Sequence, residues 1–192
     1  MTKVAKFSIL LVLIACYGVA ALASDPAAKK SAKSADKVAL VRNASVESPR
    51  EIQWLGFDAG LSKAKAEKKS VVIDFYTNWC GWCKRMDATT FHDSTVIAAF
   101  NKNFVGIRVN AEDTLAFVTH EGERMTQRQL TRVFAVTGYP TYWFLDSDGK
   151  KIGPAPGYKA ADAFVPLLRY VGEGHYKSMS YDAFVKKGNG KG

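Results

Sequence analysis

Two cysteines with two residues between them, Cys80 and Cys83, stand where a short apolar run gives way to a helical pattern, and that placement constrains the fold more than any other feature. The run before them, Ser70–Tyr76, is continuous rather than alternating in its β-branched and aromatic residues, as expected of a strand buried on both faces of a parallel sheet. Helical spacing follows from residue 80 to about residue 88. At a helix start the first thiol lies beside unpaired backbone N–H groups and the positive end of the helix dipole, which favour its thiolate. The second thiol lies one turn on, at about 1.5 Å of rise per residue, within disulfide reach. Thiolate attack on a partner's disulfide makes a mixed disulfide, which the neighbouring thiol then resolves.

The rest of the pattern alternates strands with helices. Residues 52–57 suit a short strand or a docking turn, and residues 58–69, with Leu61 and Ala64, an amphipathic helix. Residues 94–102 place Val96, Ile97 and Phe100 on one helical face, and residues 104–109 form the next strand. A polar stretch, residues 112–123, interrupts the pattern either as a partner-recognition loop or as a neutral surface insertion. Residues 126–136 resume as a helix through Leu130, Val133 and Phe134. Thr141–Leu145 reads as a strand, residues 146–149 as a hairpin turn and residues 150–153 as its return. Helices are expected over residues 160–170 and 180–187, with Pro166 requiring either the first turn of its helix or a kink. This order predicts an α/β domain with a mixed central β-sheet flanked by helices on both faces.

A length of 192 residues suits one globular domain plus a tail. Aromatic residues at 12% exclude a wholly disordered chain, and three cysteines are too few for a disulfide-stapled scaffold. The net charge of +9 is not read as a nucleic-acid signal. Much of it comes from Lys3 and Lys6 near the start, Lys29, Lys30, Lys33 and Lys37 in an Ala/Lys/Ser stretch, and Lys186, Lys187 and Lys191 at the end. No run alternating aromatic and basic residues occupies the middle of the chain, so no nucleic-acid partner is expected.

Residues 1–23 read as a secretory signal, with Lys3 and Lys6 ahead of an apolar stretch and Ala21-Leu22-Ala23 before Ser24. An uncleaved anchor helix is the weaker alternative. Leu13-Ile14-Ala15-Cys16 carries a rival lipobox reading in which Cys16 becomes a lipid-bearing N-terminus, but residues 17–22 stay apolar and favour ordinary cleavage. Cleavage would leave only Cys80 and Cys83. Residues 24–50 read as a flexible linker, residues 51–188 as the domain and residues 189–192 as a tail. The domain is therefore expected to act outside the cytoplasm, in the periplasm.

The run Asp74-Phe75-Tyr76, then Trp79-Cys80-Gly81-Trp82-Cys83-Lys84, followed by Gly138-Tyr139-Pro140-Thr141, resembles the thioredoxin superfamily. It is most similar to exported thioredoxin-like proteins and the catalytic domains of periplasmic thiol:disulfide interchange proteins. The resemblance implies a thioredoxin-like fold over about residues 50–175 and an extracytoplasmic thiol:disulfide oxidoreductase. It implies that Cys80 is the exposed attacking thiol, Cys83 the more buried resolving thiol, and Asp74 the buried acid that exchanges a proton with the resolving cysteine. Pro140 matches the cis-proline whose loop meets the partner's backbone, and Arg108 stands where many relatives carry a lysine paired with the acid. Trp79, Gly81, Trp82, Tyr139, Pro140 and Thr141 become the substrate-binding positions, although the two tryptophans also suit a simple cover for the pair. The dipeptide Gly81-Trp82 departs from the Gly-Pro of ordinary thioredoxins, which leaves the direction of electron flow open.

On this reading the partners are proteins carrying disulfides or thiols, with a membrane-embedded electron donor, the chain is a monomer, and no cofactor is needed beyond the redox-active Cys80–Cys83 disulfide. The competing class is a thioredoxin-fold copper carrier that uses the same cysteine pair. Tight zinc sites need four ligands, and only one pair is present, with His92, His120 and His175 scattered away from it. No metal site is expected.

Overall fold

The computed structural model describes residues 51–189. The expected signal, linker and Cys16 lie outside the described residues, as do residues 190–192. The chain begins with β1 (Trp54–Leu55), α1 (Phe57–Glu67) and β2 (Ser70–Tyr76). It continues through α2 (Gly81–Ala88), a 3-10 turn (Thr90–His92), α3 (Ser94–Asn103) and β3 (Phe104–Asn110). A hairpin of β4 (Phe117–His120) and β5 (Glu123–Thr126) precedes α4 (Gln127–Val133). β6 (Thr141–Leu145), β7 (Lys151–Pro156), α5 (Ala161–Gly172), a second 3-10 turn (His175–Lys177) and α6 (Tyr181–Phe184) complete it.

Five strands form one mixed sheet in the order β1-β3-β2-β6-β7. β2 and β3 run parallel, while β6 is antiparallel to both β2 and β7. The continuous hydrophobicity of β2 follows from this central position. Val71, Ile73 and Phe75 point into one core, with Phe57 and Ala64 of α1 and Leu130 of α4. Val72 points into the other, with Met86 of α2, Val96 and Phe100 of α3, and Phe164 and Leu168 of α5. Every residue from Val71 to Phe75 is buried, Asp74 included. Helices thus cover both faces of a mixed sheet, as the pattern predicts.

Local chemistry fixes several boundaries. The Asp93 carboxylate accepts the N–H groups of Thr95 and Val96 and starts α3, a cap worth about 1 kcal/mol. Thr126 and Gln129 form a reciprocal capping box at the head of α4. Gly60 lets α1 approach the sheet, because a Cβ there would lie 2.3 Å from Ile107 Cγ1.

The structure corrects three expectations and removes one of two alternatives for Pro166. The second half of the polar stretch, together with residues 124–126, is the β4–β5 hairpin rather than a loop. Val118 and His120 turn inward while Phe117 and Thr119 face out, and the two-residue turn places Glu121 and Gly122 at φ 52° and 83°, as primed hairpin turns require. The helix expected over residues 126–136 ends at Val133, with Thr126 as its cap. Pro166 lies past the first turn of α5, inside the helix. The lost hydrogen bond, with a cost of about 3 kcal/mol, is offset by burial of Phe164, Val165, Leu168 and Val171 on the same element, each worth about 1.5–3 kcal/mol. Over residues 180–187 only Tyr181–Phe184 is α-helical, followed by a π turn, Val185–Asn189.

Candidate active site

The C-terminal end of β2 delivers the cysteine pair. Thr77 is buried, and its carbonyl accepts the Cys80 N–H at 3.2 Å. Cys80 is the N-cap of α2, and its Sγ accepts the N–H of Cys83 at 3.0 Å. The two sulfurs are joined in a disulfide of 2.06 Å, with Cα atoms 5.3 Å apart. The Cys83 N–H, which has no acceptor within the helix backbone, therefore points at Cys80 Sγ, in a position that stabilises negative charge there on reduction.

Exposure does not separate the two cysteines as the resemblance implied. Cys80 is 3% and Cys83 5% exposed, so in the oxidised state both lie low in the surface. What distinguishes them is position: Cys80 caps the helix and receives its amide, whereas Cys83 lies within the first turn. Trp79 and Trp82 project into solvent, at 67% and 58% exposure. Trp79 donates its indole N–H to Glu112 Oε1 at 3.0 Å and meets Tyr139 edge to face at 6.0 Å. Trp82 lies 5.5 Å from the ring of Tyr158.

The sheet brings the Gly138-Tyr139-Pro140-Thr141 segment to the same end. Phe75, one residue before the end of β2, pairs with Thr141, the first residue of β6. Tyr139 and Pro140 therefore lie at the end of the sheet where Cys80 emerges. Their peptide bond is cis. The Pro140 carbonyl accepts the Gly157 N–H at 2.8 Å, and the Thr141 hydroxyl donates to the Gly138 carbonyl at 2.7 Å. Gly81 opens α2 with free space around its Cα, and Lys84 is exposed on the same helix.

Below the pair, three residues stand side by side on adjacent strands. Arg108 of β3 and Tyr142 of β6 both pair in register with Asp74 of β2, on the sheet face that α2 covers. Arg108 donates from Nε and Nη2 to Asp74 Oδ2, each at 3.0 Å, and Nη2 also pairs with Asp87 of α2. Asp74 Oδ1 and the Tyr142 hydroxyl are buried with no hydrogen-bond partner among the described residues. Burial pushes the Asp74 carboxyl up to about 6, against the pull of the Arg108 guanidinium and with a smaller push from Asp87. The Tyr142 hydroxyl is held well above its ordinary range, by burial first and then by the Asp74 charge.

Asp87, Glu112, Arg85 and Tyr158 are neighbours of this site that the sequence pattern did not single out. Asp87 follows Cys83 by four residues on a helix, so its place on the same helical face was readable. Glu112 and Tyr158 come from connections whose path only the fold fixes. His92 meets the Asp87 backbone carbonyl through Nδ1, His120 packs against Phe57 and Phe134 and His175 against Phe184, and no group of three or more His, Cys, Asp or Glu gathers among the described residues.

A family profile described as a thioredoxin-like domain matches residues 57–172. The chain is 32% identical over 110 residues to the thiol:disulfide interchange protein DsbD of Pseudoalteromonas atlantica, a match over 56% of this chain but only 17% of that much longer protein. It is 28% identical over 117 residues to the disulfide bond reductase DsbH of Chlamydia pneumoniae, covering 57% of this chain and 68% of that protein. Among solved structures, a thioredoxin from Thermus thermophilus superposes with a TM-score of 0.52 at 25% identity, over 63% of this chain and 87% of that one. A thioredoxin-fold protein from Helicobacter pylori gives the same TM-score at 24% identity, over 64% and 80%.

Proposed function

The chain belongs to the thioredoxin-like domain family, and from that premise we propose that it is a thiol:disulfide oxidoreductase which reduces or exchanges disulfides in protein substrates through Cys80 and Cys83. The observation that carries this reading is the Cys83 N–H directed at Cys80 Sγ from the open end of α2. A thiolate so placed is nucleophilic near neutral pH.

In the reduced protein, Cys80 Sγ attacks one sulfur of a client disulfide. The client S–S bond breaks, its other sulfur leaves as a thiolate that takes up a proton, and a Cys80–client disulfide forms. Cys83 then loses its proton and attacks Cys80 Sγ. The mixed disulfide breaks, the second client thiol departs with a proton, and two electrons have passed from the pair to the client. Asp74 receives the Cys83 proton: its pKa of about 6 suits transfer near neutrality, and Oδ1 is left open while Arg108 occupies Oδ2. Trp79, Gly81, Trp82 and Tyr139 form the surface that meets the client, whereas Pro140 and Thr141, expected among the substrate-binding positions, are buried behind it and shape the loop.

The reductive direction, supported by the likeness to a disulfide bond reductase, completes the proposal, with a location outside the cytoplasm resting on the signal-like pattern of residues 1–23 and a membrane-embedded donor on the scarcity of soluble reductants there. The full chain is expected to precipitate insulin by reducing its disulfides with dithiothreitol as donor. Cys80→Ser abolishes this activity, and Cys83→Ser accumulates mixed disulfides. Full activity in Cys80→Ser would refute the assignment of the attacking sulfur. Copper bound one to one by the anaerobic, reduced protein and lost in Cys80→Ser, without insulin reduction, would favour a metal carrier instead.

A further inference from the structure

Each cysteine of the pair is preceded by an exposed tryptophan, and the two tryptophans belong to groupings of opposite charge. Before Cys83, Trp82 and Tyr158 share the guanidinium of Arg85, whose central carbon lies 5.9 Å from one ring and 5.7 Å from the other. Lys84 is exposed beside it. Before Cys80, Trp79 donates its indole N–H to Glu112 Oε1 and meets the ring of Tyr139 edge to face. The charge of Glu112 also adds to burial in raising the Tyr139 hydroxyl pKa. Both charged groups are thus held in place before a client arrives, so that recruiting them costs little side-chain entropy.

We infer that the site selects client segments by charge polarity: a client disulfide is favoured when an acidic side chain lies on its Trp82–Arg85–Tyr158 side and a basic side chain on its Trp79–Glu112–Tyr139 side. This rests on the oxidoreductase reading and adds the class of client to it. The aromatic faces accept apolar neighbours of either sequence, whereas the two charges distinguish a segment from the same segment carrying its charges in reverse order. Matched charges each add a modest attraction at an exposed position, and reversed charges set like against like.

The test uses three symmetrical peptide disulfides, with Asp before and Lys after each cysteine, with the order reversed, or with Ser at both places. The full chain is reduced with dithiothreitol, freed of it, and mixed with each peptide, and single-turnover reduction is followed by chromatography. The wild-type protein is expected to reduce one charged peptide about three- to tenfold faster than the other, with the ratio shrinking as salt is raised. The double variant Arg85→Glu, Glu112→Arg is expected to invert that ratio. Because the readout is a ratio between two peptides on one protein, any general effect of the substitutions cancels. Equal rates for the two charged peptides, or an unchanged preference in the double variant, overturn the inference while leaving the oxidoreductase reading intact. Failure to reduce even the Ser peptide overturns that reading, and the inference with it.

Discussion

Arg108 directs both Nε and Nη2 to one oxygen of Asp74, Oδ2, each at 3.0 Å, and leaves Oδ1 buried without a hydrogen-bond partner among the described residues. The pairing follows from parallel register, in which β3 sets Arg108 directly beside Asp74. The arrangement neither fully stabilises the carboxylate nor keeps it neutral. Burial pushes the carboxyl up to about 6, and the guanidinium stops it from rising further.

Asp74 therefore makes folding weaken as pH rises. Its native pKa lies above the ordinary 3.8, so between these values the unfolded chain releases the proton first and stability falls as pH rises. At about 1.4 kcal/mol per unit, a shift from 3.8 to about 6 corresponds to about 3 kcal/mol at most, lost once pH passes the native value. Asp74→Asn is expected to gain about that much relative to wild type between about pH 3.5 and pH 7. Urea unfolding of both oxidised proteins across this range checks it, and parallel pH profiles would contradict it.

Removing the guanidinium should show its pull. In Arg108→Met the Asp74 carboxyl is expected to titrate above 6, because desolvation then acts without its main opponent. Arg108→Lys is expected to fall between, since one ammonium cannot fork across Asp74 and Asp87 as Arg108 does. Carboxyl carbon chemical shifts measured against pH distinguish the three proteins. The same titration in all of them would mean that Arg108 does not govern the acid.

His120 gives an opposite acid-side effect, far from the sulfur chemistry. Its ring packs 5.8 Å from Phe57 and 5.4 Å from Phe134, with Nε2 unpartnered by hydrogen bonds among the described residues and Glu121 Oε1 3.9 Å away. Burial holds its pKa below the ordinary 6.5, with Glu121 opposing and Lys151 adding to the shift. The native ring is thus neutral where the unfolded one takes a proton, and the stability it supports is present above pH 6.5 and lost as pH falls below. His120→Leu should flatten the decline between about pH 7 and pH 5. An unchanged decline in the variant would place its cause elsewhere.

Much of this architecture was legible because single residues carried strong signals. The unbroken apolar run of β2 announced a strand buried on both sides, and Cys80 and Cys83 at its exit announced a helix start. Asp74 stood out as an acid among apolar neighbours. The β4–β5 hairpin was hidden by the charges around it. Its inward positions, Val118 and His120, alternate with outward Phe117 and Thr119, and Glu121-Gly122 supplies the turn, but Glu112, Asp113, Glu121 and Glu123 give the stretch a loop-like composition. The partnership of Glu112 with Trp79 and of Arg85 with Tyr158 depends on where connections return, which periodicity does not encode.

That turn is open to direct substitution. Gly122 has φ 83° and nothing within reach of an added Cβ, so Gly122→Ala meets only backbone strain and is expected to cost about 1 kcal/mol or slightly more. Gly122→Asn is expected to cost less, because Asn tolerates the left-handed region. Equal stability in wild type and Gly122→Ala would show that the hairpin does not hold this turn in solution.

The proposed chemistry depends on the reactivity of one sulfur. Reduced protein alkylated with iodoacetamide over a range of pH, with the rate at Cys80 read by mass spectrometry, measures the proton affinity of that thiol directly. The amide directed at Cys80 Sγ should bring its apparent pKa well below the value of about 8.5 of a free cysteine. A midpoint at or above that value would contradict the account.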